Sequence, residues 1–188
     1  SLEIRCVSTV LMMFSTLQVV RANSTGALHS WPSITDLARG GHSVYHTAMT
    51  YRIFIDGAAG TTGLQVNERL AAHPSVTPVT LDDAQRKDAA ARREMMAAND
   101  ITILCLPDDA ARESAALAAE VGARVIDAST AHRTAEGWDF GFVELFDGAR
   151  DSVAGSARIS NPGCYSTGFL AFCLLYTSDA ADDSLGVD

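Results

Sequence analysis

The stretch "YRIFIDGAAGTTGLQV", residues 51–66, decides the fold. Residues 51–56 are a short apolar run ending in Asp56, which reads as a buried first strand. "GAAGTTG" (57–63) follows at once. "LQVNERLAAH" then places Leu64, Val66 and Leu70 near one face of a helix that ends before Pro74. Gly57, Gly60 and Gly63 lie three apart between strand and helix. The first allows a tight turn, the second lets backbone approach a pyrophosphate, and the third lets the helix pack close to the sheet. The helix N-terminus offers unpaired N–H groups to the phosphates. This pattern predicts a dinucleotide-binding turn, in which Thr61 and Thr62 either add hydroxyl donors or cap the helix. An acidic residue about twenty positions on would hold a ribose 2′-hydroxyl and favour NAD. Asp82 and Asp83 stand there, but Arg86 and Lys87 follow and are suited to a 2′-phosphate. The residues leave that choice open.

Downstream, strands and helices alternate. "VTPVTL" (76–81) is a short strand that Pro78 confines to an edge. "DAQRKDAAARREMMAAND" (83–100) is charged and alanine-rich, hence helical. "ITILCLP" (101–107) is a strongly apolar strand with Cys105 as a core residue, and "DDAARESAALAAEVG" (108–122) is a helix stopped by Gly122. "RVIDAS" (124–129) and "ARISN" (157–161) are further strands, residues 130–157 are irregular, and "PGCYSTGFLAF" turns into a helix. The expected fold class is α/β: a Rossmann-like doubly wound parallel sheet forming a dinucleotide-binding domain at 49–160, with only the start of a catalytic domain at 161–172.

The chain has 188 residues, 47% of them hydrophobic, and a formal net charge of -9. That charge argues against nucleic acid or an anionic membrane as main partner. It leaves room for a small anionic substrate held by a local arginine. Cys6, Cys105, Cys164 and Cys173 have spacings that fit neither a zinc site nor a disulfide framework, so no metal and a reduced, cytoplasmic setting are expected. Both ends look foreign. Residues 1–48 show no sustained period; the apolar run at 7–20 has the look of a signal-peptide core, but an unrelated leader is the favoured reading. "CLLYTSDAADDSLGVD" (173–188) resembles the translation of a sequencing-library adapter, and otherwise reads as a helix end with a solvated acidic tail.

"SNPGCYSTG" (160–168) carries the chemistry. A buried cysteine is common, and that reading stands beside the functional one. Asn161 is a good N-cap and Pro162 suits the first helical position, which puts Cys164 in the first turn, where the helix dipole favours a thiolate. A thiol facing a nicotinamide points to thioester chemistry.

From Tyr51 to Phe172 the chain resembles the short form of the N-acetyl-gamma-glutamyl-phosphate reductase family. The resemblance rests on "IFIDGAAGTTGLQV", "CLPDDAARE", "VIDASTAHRTAEGWDFGF" and "SNPGCYSTGF", in that order. It implies NADP and a small acyl phosphate substrate. Cys164 would attack N-acetyl-glutamyl 5-phosphate, expel phosphate, and form a thioester that hydride from NADPH converts to the semialdehyde, a step of arginine biosynthesis. It implies Gly57, Gly60, Thr61, Thr62, Gly63 and Pro107 on the cofactor, and Ser129, Arg133 and Asn161 as substrate-binding candidates. It also implies a homo-oligomeric parent enzyme. Locally, Ser129 would instead cap a turn and Arg133 pair with Glu136, while His132 reads as positional. Val143 stands where the family usually has proline, and none of the chain's five histidines matches the family's catalytic one, so the 188-residue chain is expected to be inactive although its parent is an enzyme. Aspartate-semialdehyde dehydrogenase and a non-catalytic NADP-binding module are the alternatives; "NPGCY" and "STAHR" favour the first reading over the former.

Overall fold

Residues 50–183 are described in the computed structural model, and the expected leader at 1–48, with Cys6 and the apolar run at 7–20, lies outside them. Strand β1 (Tyr51–Asp56) is buried from Ile53 onward. It is paired on both sides, parallel to β2 (Val76–Val79) and to β3 (Ile101–Leu104). A central parallel strand needs apolar residues on both faces, which is why "IFI" does not alternate with polar residues. β4 (Val125–Asp127), β5 (Asp139–Phe140) and β6 (Arg158–Ser160) complete a six-stranded, all-parallel sheet of order β2-β1-β3-β4-β6-β5. Pro78, opposite Ile53, sits on the edge strand as expected.

Helices cover both faces. On one, Val66 and Leu70 from α1 (Thr61–Ala71) and Val153 and Ala154 from α4 (Ala149–Gly155) meet Ile53, Ile55, Ile101, Ile103, Ile126 and Ile159. On the other, Met96 from α2 (Ala89–Ala98) and Leu117 and Ala118 from α3 (Asp108–Glu120) meet Phe54, Leu104 and Val125. Each such large side chain contributes roughly 1.5–3 kcal/mol when taken out of water. The chain is thus doubly wound, as its alternation of apolar runs predicts.

Several local expectations are corrected. Gly63, Val66 and Leu70 form the buried stripe of α1, and Leu64, one residue (about 100°) off it, is exposed. α2 begins at Ala89 rather than 83, because the Asp88 carboxylate accepts the Ala90 N–H at 2.9 Å and caps it there. Arg86 and Lys87 therefore lie in the turn before the helix. Cys105 is one residue past β3, though its N–H still reaches the Asp56 carbonyl at 2.8 Å. The segment 130–157 contains β5 and α4, and Val143 is buried in the core within it. Arg124 secures α4 by donating to the carbonyls of Ala154 and, at 2.7 Å, Ser156.

α3 ends as expected. Gly122 has φ +67, and the N–H groups of Gly122 and Ala123 reach back to the carbonyls of Ala119 and Ala118. That is the left-handed stop glycine permits. The last helix, α5 (Cys164–Asp183), begins later than expected and ends later. Asn161 and Pro162 precede it, so neither is its cap or first residue, and Cys164 opens it. It continues past Phe172 into the stretch expected as a tail, of which residues 184–188 lie outside the described part. Its Tyr165, Phe169, Phe172 and Tyr176 are all exposed and recur at helical spacing.

Candidate active site at the carboxyl edge of the sheet

The chain leaves β1 for β2 on one side and returns to β3 on the other. Such a reversal opens a crevice beyond the carboxyl ends of the strands, where ligands bind in open α/β sheets. Gly57 lies directly there. Its φ is +92, and a Cβ on it would stand 2.4 Å from the Cys105 carbonyl oxygen. A Cβ on Gly63 would stand 2.2 Å from the Gly57 carbonyl oxygen. These two glycines are demanded by the protein's own packing. Gly60 is different. Its φ is ordinary, and a Cβ there would meet nothing closer than 3.5 Å. Nothing in the chain requires glycine at 60, which leaves that side of the turn open to a ligand's close approach.

The N-terminus of α1 is also bare. Gly60 is the N-cap, so no side chain caps the helix and neither Thr61 nor Thr62 does so; no acid stands in the first turn. The first N–H groups of a helix have no partners within it. A turn with room at Gly60 and uncapped donors behind it fits a pyrophosphate.

Beyond β3, Cys105 packs against the core. Burial first, and then the carboxylates of Asp127 and Asp56, push its thiol up to about 12. It is a core group, not a nucleophile. Pro107 is the N-cap of α3, exposed at the mouth of the crevice. The next residue, Asp108, spends both carboxylate oxygens on Thr130, accepting its N–H at 3.0 Å and its hydroxyl. Those bonds, the hydroxyl's first, hold the Asp108 carboxyl below its ordinary range.

Two strands end in "ID", and both aspartates are buried. Asp56 Oδ2 accepts from Arg92 Nε at 3.1 Å, Arg92 Nη2 at 2.9 Å and Ser114 Oγ at 2.5 Å, which ties β1 to α2 and α3 just before the glycine turn. Arg92 also reaches Glu113 at 3.2 Å. Asp127, wholly buried, accepts the Ser129 N–H at 2.9 Å and hydroxyl at 2.7 Å, and its Oδ2 lies 2.6 Å from His132 Nδ1. The His132 ring stacks on Trp138 with centroids 4.0 Å apart. Sequence reading noted Asp56 only as a strand end and missed both clusters. The signal was there: an aspartate closing an apolar parallel strand must be buried, and a buried carboxylate needs partners.

The substrate-side candidates fall around Asp127. Ser129 Oγ, having given its proton to Asp127, accepts the Ala131 N–H at 3.1 Å, which is the turn-capping arrangement. Asn161 is buried at the end of β6, its N–H donating to the Asp127 carbonyl at 2.7 Å. Arg133 makes no ion pair with Glu136. Its guanidinium lies under Gly163, where a Cβ would stand 2.6 Å from Nη1, and its buried Nε has no partner. Gly163 immediately precedes Cys164, which is partly exposed at the start of α5. Three separated motifs, 107–108, 127–133 and 160–164, thus converge on one edge of the sheet. Among the described residues no cluster of histidine, cysteine and carboxylate could hold a metal ion, and no helix is long and apolar enough to cross a membrane.

Residues 81–153 match the family model described as "Semialdehyde dehydrogenase, NAD binding domain". Curated relatives named N-acetyl-gamma-glutamyl-phosphate reductase include one from Trichormus variabilis, 51% identical over 120 residues, covering 64% of this chain and 37% of that one. Another, from Burkholderia ambifaria, is 53% identical over 116 residues, covering 62% and 37%. Among solved structures, aspartate semialdehyde dehydrogenase from Francisella tularensis superposes with a TM-score of 0.48 at 15% identity, over 62% of this chain and 37% of that one. The chain spans little more than a third of the length of these curated relatives. With an NAD-binding domain model matched inside it and about half of its residues shared with those relatives over the common stretch, this α/β chain is a homologue of the N-acetyl-gamma-glutamyl-phosphate reductases.

Proposed function

We propose that the protein to which this chain contributes reduces N-acetyl-glutamyl 5-phosphate to N-acetyl-glutamate 5-semialdehyde through a cysteine thioester, with NADP as cofactor. The observation that carries the reading is the placement of Cys164 at the start of α5, next to Gly163 and the Arg133 guanidinium beneath it, on the same sheet edge as the bare glycine turn. Cys164 is the nucleophile. Its sulfur bonds the acyl carbon, the carbon–oxygen bond to phosphate breaks, and phosphate leaves with the bonding pair. Arg133 faces the anionic end of the substrate, a role its donors suit, and among the described residues no carboxylate forms an ion pair with it. Asn161 and the Asp127 cluster hold the walls of that pocket. Gly57, Gly60, Gly63 and the first turn of α1 bind the pyrophosphate, and Thr61, Thr62 and Pro107 border the dinucleotide. When bound, the dinucleotide would supply a hydride to the acyl carbon; the carbon–sulfur bond then breaks, releasing the aldehyde and returning Cys164 as the thiolate.

NADP is preferred because the acids expected at a ribose are locally engaged. Asp82 accepts the Gln85 N–H at 3.0 Å and Asp83 pairs with Arg86 at 3.1 Å, which leaves Lys87 exposed and without an ion pair beside them. The two described histidines, His73 and His132, are each engaged through Nδ1. In this reading the chain alone binds dinucleotide without turnover, and a cytoplasmic, homo-oligomeric parent fits it. The test is to graft residues 51–172 in place of the matching segment of the Trichormus variabilis relative. The graft is expected to oxidise N-acetyl-glutamate semialdehyde with NADP and phosphate, and to lose turnover on Cys164→Ser. Oxidation of aspartate semialdehyde instead, or turnover that survives the substitution, refutes the assignment.

A further inference from the structure

Resting on the reading of Arg133 as the anion-facing group, we propose that His132 is a positioning residue that fixes where the Arg133 guanidinium sits relative to Cys164. Residues 128–133 cross the gap between the start of α3 and the start of α5, and they contain no helix or strand of their own. Apart from a few backbone bonds, they are held by side chains. Thr130 is tied to Asp108 at one end, and Ser129 and His132 both converge on the buried Asp127 carboxylate. His132 is the last anchor before Arg133. It is nearly buried, at 9% exposure, and is fixed in two directions: Nδ1 on Asp127 and the ring face on Trp138, at an interplanar angle of 11°.

The Arg133 N–H reaches the Thr130 carbonyl at a long 3.5 Å, but its side chain has no such anchor. Its Nε is buried without a partner, and its guanidinium rests against the Cα of Gly163. A long side chain without a hydrogen-bonded partner is placed by the backbone that carries it. Freeing His132 would let that backbone drift, and the guanidinium would leave Gly163. The bond to Asp127, rather than the ring stack, supplies the directional part of this restraint, because a short charge-assisted bond fixes both distance and angle while stacking tolerates sliding.

The Cys164 thiol of the intact chain reports the guanidinium directly. Alkylation rates at Cys164 are measured by peptide mapping with iodoacetate and with iodoacetamide, reagents of similar size that differ in charge. A cation beside the sulfur raises the iodoacetate-to-iodoacetamide rate ratio, and R133Q is expected to lower it about three- to tenfold. H132F keeps an aromatic ring on Trp138 but cannot donate to Asp127, and is expected to lower the ratio nearly as much. H132N loses the ring but keeps a donor in the δ position, and is expected to retain the ratio to within about twofold. A purely packing role predicts the reverse order, with the phenylalanine variant preserved and the asparagine variant impaired. That reverse order, or an unchanged ratio in folded H132F while R133Q lowers it, overturns the proposal. Should H132F not fold, H132L, which matches asparagine in size and has no donor, takes its place with the same expectation. An unchanged ratio in R133Q removes the Arg133 reading and the proposal together, which separates that failure from failure of the positioning role alone.

Discussion

Two helices start at the crevice between β1 and β3, and their first turns are opposites. Neither N-cap residue, Gly60 or Pro107, makes a side-chain hydrogen bond to its helix, but α1 has no acid in its first turn. α3 begins on Pro107 with Asp108 and Asp109 in its first turn, and Asp108 is closed over by Thr130. Both ends carry the same partial positive charge. One has been left open and the other has been neutralised by the chain itself. The lesson is that a helix N-terminus is not a binding site by virtue of being one. What makes α1 receptive is the absence of residues that would satisfy it, together with the space at Gly60.

The largest effect is expected where that contrast depends on packing. Gly57→Ala forces a Cβ to 2.4 Å from a backbone oxygen at φ +92. A loss of about 3 kcal/mol or more in urea unfolding of the chain should follow, with the crevice distorted as well. A fully stable variant would show that the turn relaxes freely and does not define the crevice.

Gly60→Asp gives the open helix end a negative charge, which the closed one already carries in its first turn. Position 60 has room for a side chain, and aspartate is a slightly better N-cap than glycine, so stability should hold or rise by about a few tenths of a kcal/mol. NADPH binding, followed by fluorescence titration, should weaken more than about tenfold, because a fixed anion faces the pyrophosphate. Unaltered affinity would detach the dinucleotide from α1. Opposite signs for stability and binding in one substitution are what the comparison requires.

The smallest effect is at the closed end. Asp108 has its carboxyl lowered from 3.8 by the bonds from Thr130. A carboxyl lowered by folding stabilises the folded state above its unfolded value, and that contribution disappears as pH falls through the folded value. In Asp108→Asn, the melting temperature should be slightly reduced at neutral pH, and the gap to wild type should close only as pH falls below about 3.8 and through the lowered folded value. A gap that persists undiminished in acid would assign the effect to something other than this carboxylate.

Much of this was legible in sequence because it depends on short-range rules. The glycine spacing, the stop at Gly122, Pro78 at the sheet edge and the alternation of apolar runs each follow from a local constraint on backbone or burial. What was not legible depends on residues far apart in the chain. Asp56, Arg92 and Ser114 are brought together by three different elements, and no spacing signals them. Leu64 was assigned to the buried face because the difference between positions 63 and 64 is a rotation, visible only once the sheet is in place. Asn161 and Pro162 have the composition of a helix start, but the N–H of Asn161 is taken by Asp127, which holds the chain extended until Cys164. Ser129 is occupied by its own turn, while Arg133 is left without the local partner that Glu136 would have been.

The ring-bearing face of α5 has a consequence for how the chain behaves as a solute. Tyr165, Phe169, Phe172 and Tyr176, each about two-thirds exposed, line up along it. At neutral pH the net charge of -9 keeps molecules apart. Acid removes that repulsion and sulfate strengthens apolar association, so self-association through this face is expected to grow as carboxylates take up protons or as ammonium sulfate is added.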